Sequence, residues 1–203
     1  MNRMTRIAAL AVAIAPALAF GQTATWNVDP SHSRAGFSVK HLVISDVKGE
    51  FSKLSGKVQL DDADLSRSSV EVTIEAASVD TRDEKRDAHL KSADFFDAAK
   101  YPTIIFKSTK VVAGKDGALT ITGDLTLRGV TKPVTLTVSY LGEGKDPWGN
   151  EKLGFEVAGL LNRKDFNINW NKTLDAGGLL VGDEVKVQIA VEANKAKPAT
   201  ATK

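Results

Sequence analysis

The chain contains no cysteine. That excludes a disulfide framework, a thiol nucleophile and a thiolate metal site together. A domain without staples has to be held by its own apolar core. Histidine is scarce too. His32, His41 and His89 are the three present, and their spacing fits no zinc pattern of the H-x-x-x-H kind. No G-x-S-x-G elbow occurs, and the glycines sit at turns rather than in a phosphate loop between a strand and a helix. Beyond residue 19 no run is long and apolar enough for a helical membrane span. An excess of one charge is also missing. The 203 residues carry 27 basic and 25 acidic side chains, and no basic stripe marks a nucleic-acid surface.

The first segment differs from the rest. Arg3 and Arg6 precede an apolar run from Ile7 to Leu18, and Ala17-Leu18-Ala19 is an A-x-A pattern. Residues 1–19 read as a secretory signal peptide cleaved after Ala19. Removing two of the 27 basic residues leaves 25 against 25 acidic ones, so the mature chain is formally neutral. With a leader and no lipobox cysteine, the expected destination is the periplasm.

The mature region alternates with period two. Ala35, Phe37, Val39 and His41 alternate with Gly36, Ser38 and Lys40, and the same holds for Val70–Ile74, Leu119–Leu127, Val134–Tyr140 and Val185–Val191. Such alternation gives a strand one apolar and one wet face. Turn signals at Asp116-Gly117, Arg128-Gly129, Gly142-Glu143-Gly144 and Gly177-Gly178 separate the runs, and short links imply antiparallel neighbours. One stretch breaks the pattern. Thr81-Arg82-Asp83-Glu84 reads as a T-x-x-E capping box opening a helix to about Lys91, within a helical insertion over 83–98. The expected fold is all-β: an eight-stranded antiparallel, lipocalin-like barrel with one short helical insertion, spanning 20–193 as a single domain. The tail 194–203, rich in Ala, Lys, Thr and Pro, is expected to be disordered.

Parity selects a candidate lining. Phe37, Phe51, Phe106, Phe155, Phe166 and Trp170 fall on apolar positions of strands, joined by Val39, Ile74, Leu125 and Leu136. A barrel of this size either fills its interior with such side chains or encloses one small ligand, and periodicity alone does not distinguish the two. His41 shares parity with the inward set. Arg86 and His89 lie in the charge-dense helical stretch, and Arg163 and Asp165 form a further charged pair. These five are candidates for a polar head group, each with a plain alternative as a structural histidine, a solvated helix face or an ion pair.

Several segments carry a family resemblance. They include Trp26-Asn27-Val28-Asp29-Pro30-Ser31-His32-Ser33, Arg86-Asp87-Ala88-His89-Leu90, the run Gly123-Asp124-Leu125-Thr126-Leu127-Arg128-Gly129-Val130-Thr131-Lys132-Pro133-Val134, and Asn162-Arg163-Lys164-Asp165-Phe166-Asn167-Ile168. In order over about residues 25 to 192, they resemble the YceI-like family of exported polyisoprenoid-binding proteins. The resemblance implies an elongated apolar pore holding an isoprenoid or similar amphiphile, with no catalytic activity, no metal and no cofactor beyond the bound lipid. One departure stands out: Asn167 occupies a position where the family has glycine. The expected role is a periplasmic carrier of a long-chain lipid, with a homodimer left open. The alternatives are a lipid-acting enzyme using His41 as base, and a stress-protective module with a packed core.

Overall fold

A computed structural model describes residues 23–114, 118–173 and 179–197. The proposed signal peptide, the Gly177-Gly178 turn and most of the Asp116-Gly117 hairpin therefore lie outside the described residues. The elements are β1 (Ala24–Val28), β2 (Arg34–His41), β3 (Ser45–Phe51), β4 (Leu54–Leu60), β5 (Ser69–Glu75), β6 (Val79–Asp80), α1 (Glu84–Lys91), β7 (Thr103–Ala113), β8 (Ala118–Leu127), β9 (Val130–Lys145), β10 (Glu151–Asn162) and β11 (Val181–Lys195).

These strand segments make eight staves. The pairs Ala35↔Phe51 and Trp26↔Val58 belong to nearly the same register, so β1 and β2 are one long strand, interrupted once, facing β3 and β4 as another. β5 and β6 form a third, broken by a 3-10 turn at Ala76–Ser78. β7 to β11 supply the other five. The ring closes antiparallel where β11 pairs with β2 at Val187↔Phe37 and with β1 at Trp26↔Lys195. The expected eight-stranded antiparallel barrel is thus the observed fold. Among the described residues, closure leaves short stretches of open edge, such as Ser45–Gly49 in β3 and Tyr140–Lys145 in β9.

The interruptions share a crease across three staves, and short polar side chains repair the ladder there. Ser33 is buried, donates its hydroxyl to the Glu192 carbonyl and accepts from the Glu192 N–H. Ser78 accepts from the Lys53 N–H and donates to the Glu75 carbonyl. Buried backbone groups that lose a strand partner need such a substitute.

Beyond the crease, the stretch 81–102 leaves the sheet and folds over one end. The true N-cap of α1 is Asp83, whose carboxylate accepts from the Lys85 and Arg86 N–H groups. The expected cap, Thr81, instead gives its hydroxyl and N–H to Asp87. A carboxylate next to the first turn competes better for those donors than a threonine two residues earlier. The helix ends at Lys91, as expected, and turns carry the chain from Ser92 to Pro102.

Two further expectations are corrected. Gly142-Glu143-Gly144 is not a turn: β9 runs through it to Lys145, and the chain reverses at 146–150. Gly142, at φ 126, follows the bulged Leu141, where the pairing steps from Phe155↔Tyr140 to Gly154↔Gly142, the other regular use of glycine in strands. The tail begins later than residue 194, because Asn194 and Lys195 pair with Asn27 and Trp26. The Arg128-Gly129 turn is as expected, with both residues at positive φ (50 and 73) in a two-residue hairpin loop.

Candidate functional site

The barrel has two unlike ends. One is packed shut. Phe51, Phe95, Phe166, Ile168 and Leu127 form a buried cluster with Ala98 and Ile104, drawn from the strands, the 92–102 turns and the 163–168 turn. Phe51 meets Phe37 at 5.7 Å and Phe96 at 5.3 Å between ring centroids. Arg128, at the β8–β9 turn, clamps this cap by donating to the Ala93 carbonyl at 2.6 Å and to the Asn167 carbonyl. Asn167 adopts the left-handed conformation, φ 59 and ψ 23, that glycine would take; asparagine is among the few other residues that tolerate it.

Below the cap the barrel is hollow. The cavity measures about 280 Å³ and is walled almost wholly by Val, Leu, Ile and Phe, near the lower end of the ~300–1,000 Å³ usual for ligand sites. Strand burial tells the same story. Along β10 and β11 the inward residues are half-buried rather than buried, alternating with exposed ones. An inward side chain that keeps accessible surface faces an unfilled space.

Glycines help keep it open. A Cβ at Gly49 would fall 2.5 Å from the Phe37 ring, one at Gly123 2.6 Å from the Phe106 ring, and one at Gly159 2.5 Å from a Leu136 methyl. Three bulky lining side chains therefore lie across glycines of adjacent strands instead of projecting into the lumen.

Phe37, Val39, Phe51, Ile74, Phe106, Leu125, Leu136, Phe155 and Phe166 all border the cavity. Trp170 does not, which corrects its assignment to the lining. It packs on Phe95 at 5.3 Å and His89 at 4.8 Å, within the cap. It lies in the non-strand stretch after the 163–166 turn, where period-two parity has no meaning.

The five polar candidates sit at the capped end, and none offers a free group to the lumen. Arg86 donates to the Thr81 hydroxyl and carbonyl at 2.7 and 2.8 Å. The His89 ring bonds Asp94 at 2.9 Å. His41 ends β2 outside the lining, and Asp165 is exposed. Arg163 alone borders the cavity, but its guanidinium donates to the carbonyls of Gly182, Ile168 and Trp170 and to Asp183. Burial lowers its pKa, and Asp183, not Asp165, is the partner that opposes this. Arg163 ties Ile168 and Trp170 to the start of β11 at Gly182.

The other end has a smaller buried cluster, Trp26, Leu153 and Ala193, and carries the polar groups that parity did not reveal. Tyr140 stacks on the lining residue Phe155 at 5.6 Å and is still 46% exposed. Burial raises its pKa first, then Glu143 and Asp62, which puts the 61–68 loop near the β9–β10 ribbon. Leu65, Ser68 and Ser69 border the cavity from that loop. Lys195 lies 5.5 Å over the Trp26 ring and pairs with Glu151, which raises its pKa. We take this end as the mouth. No sequence pattern marks it, because its residues come from β9, β11 and the 61–68 loop, far apart along the chain.

A second polar cluster locks the seam. Asp29 accepts from the Lys152 amine at 3.1 Å, lies 3.1 Å from His32 Nδ1, and also takes the Asn194 amide; the same amine reaches Glu192 at 2.7 Å. The His32 contact, opposed by burial and helped by Lys152, holds the Asp29 carboxyl far below the usual carboxylate range. Side-chain atoms of Asp29, His32 and Glu192 converge within 4.8 Å of one another, and the Lys152 amine lies between the two carboxylates.

Comparison with known proteins agrees with this architecture. The YceI-like domain matches residues 26–193. Protein YceI of Escherichia coli O157:H7 is 49% identical over 138 residues, covering 68% of this chain and 71% of that protein. The crystal structure of BcnA from Burkholderia cenocepacia superposes with a TM-score of 0.72 at 27% identity, covering 81% of this chain and 98% of that one. A polyisoprenoid-binding domain from Saccharophagus degradans shares the fold, with a TM-score of 0.62 at 16% identity over 86% of this chain and 99% of that one. The chain belongs to the YceI-like family.

Proposed function

We propose that this protein is an exported carrier that holds a long isoprenoid-type lipid in its lumen, tail toward the cap and head group at the mouth. The observation that carries this reading is the apolar lumen of about 280 Å³. Burying an alkyl chain there gains roughly 0.8 kcal/mol per CH₂ removed from water, so binding needs no charged anchor deep inside. Tyr140, Ser68, Ser69 and Lys195 suit a polar head at the rim. The polyisoprenoid-binding relative named above supports the ligand class. The lining supports binding rather than catalysis. Among the described lining residues Arg163 is the titratable group, and its donors are engaged. His41, the base an enzyme would have used, stands outside the cavity.

Solvent extraction of the purified protein, followed by mass spectrometry of the extract, tests the reading. A polyprenyl or quinone-type lipid in stoichiometric amount is the expected result. Protein that yields no lipid and also takes up none when offered polyprenols in detergent overturns it.

A further inference from the structure

The ribbon beside the mouth carries apolar side chains that the carrier reading does not use. β9 runs past β8 from Tyr140 to Lys145, while β10 stays paired with β11 as far as Lys152, and the chain reverses around Asp146. Its carboxylate accepts the N–H groups of Trp148 and Asn150 and the Asn150 amide, and Gly149 takes φ 84 to complete the turn. This built turn presents Trp148, which is 84% exposed. Leu141, 61% exposed, stands on the same ribbon at the bulge. Next to it Tyr140 leans on Phe155 at the rim. Trp148 at the turn, and Leu141 and Tyr140 at the bulge, are the large exposed apolar side chains at this end of the ribbon, with the charged Glu143 and Lys145 between them.

We infer that the β9–β10 hairpin docks the mouth of the barrel onto a lipid bilayer, with Trp148 and Leu141 entering the interfacial region. The inference rests on the carrier reading, since a mouth set against a bilayer receives its cargo without exposing it to water. The size of the patch argues against a second protein chain as occupant. Aromatic side chains bury ~150–250 Å² each, so two such groups together with one leucine fall short of the ~800 Å² per partner of a stable interface. Tryptophan and tyrosine are the residues that settle at the membrane–water boundary.

Charge on the ribbon is balanced. Lys152 is taken by Asp29 and Glu192, and Lys195 by Glu151, while Lys145 stands beside Glu143 and Asp146 in sequence. Docking is therefore driven by burial and not by attraction to anionic lipid. The turn between β2 and β3 is an internal control. Its Val43 and Ile44 are also exposed, at 73% and 84%, but they stand at the sealed end.

The test uses the full chain and vesicles of phosphatidylcholine and phosphatidylethanolamine, with bound protein read by cosedimentation. The double variant Trp148→Ser/Leu141→Ser is expected to lose about tenfold in partitioning, as follows from withdrawing two large apolar groups. Val43→Ser/Ile44→Ser is expected to partition like the wild type, and raised salt to change little. Both variants should take up a polyprenol offered in detergent micelles as the wild type does. Docking by this hairpin is overturned if the Trp148/Leu141 variant partitions normally, if the Val43/Ile44 variant carries the loss, or if binding requires anionic lipid. Failure of every protein to take polyprenol from detergent overturns the carrier reading instead, and the vesicle arm still judges the hairpin.

Discussion

Asp29 shows how much one side chain can tie together. It follows β1, and its contacts reach Lys152 on β10 and Asn194 on β11. A carboxyl whose pKa is depressed in the folded state stabilises fully above its unfolded value, about 4, and that contribution drains as pH falls through the folded value. Wild-type protein should lose denaturation midpoint as the pH drops below about 4. Asp29→Asn should start lower at neutral pH, by about 1–3 kcal/mol for the unmatched buried groups, and fall less on acidification. Urea denaturation across pH checks both slopes, and parallel curves would remove Asp29 from the acid response. The D-P-S-H-S run was legible as a motif, but this role was not. His32 is local, but Lys152 and Asn194 lie over a hundred residues away and meet Asp29 only when the seam closes. The charged residues near α1 were legible as candidates for chemistry, yet Arg86, His89 and Arg163 spend their donors on cap backbone and a neighbouring carboxylate, which no spacing rule reveals.

At the scale of elements, alternation placed the strands and their inward faces well, because half-buried sheets follow a strict period of two. It failed where that period lapses: at Trp170 beyond the last turn of β10, and at Gly142, where a glycine marks a bulge and not a reversal. The glycines within strands carry a different message. A side chain at Gly159 meets only the mobile end of Leu136, whereas one at Gly36 would fall 2.7 Å from the Gln188 carbonyl oxygen in the β2–β11 seam. Gly159→Ala should therefore fold with a small cost, within the ~1–3 kcal/mol of overpacking, while pushing Leu136 inward and weakening polyprenol binding. Gly36→Ala should destabilise more, because backbone must move. Urea midpoints and ligand titrations of the two variants separate the effects, and equal midpoints would contradict the distinction.

For the whole molecule the decisive property is hollowness. Which residues point inward was readable in the sequence; whether they meet in the middle was not, since identical parity describes a packed barrel and an open one. The answer depends on side chains laid across glycines of neighbouring staves and on a cap that closes one end while loops leave the other ajar. The most direct measurement is native mass spectrometry of the delipidated full chain titrated with a long-chain polyprenol, beside a variant whose lumen is blocked at Val187, a lining residue opposite Phe37. The wild type should take up one polyprenol, and Val187→Trp, folded by circular dichroism, should take up none. A wild type that stays bare at saturating polyprenol, or a blocked barrel that binds as well as the open one, would contradict a lipid-holding lumen.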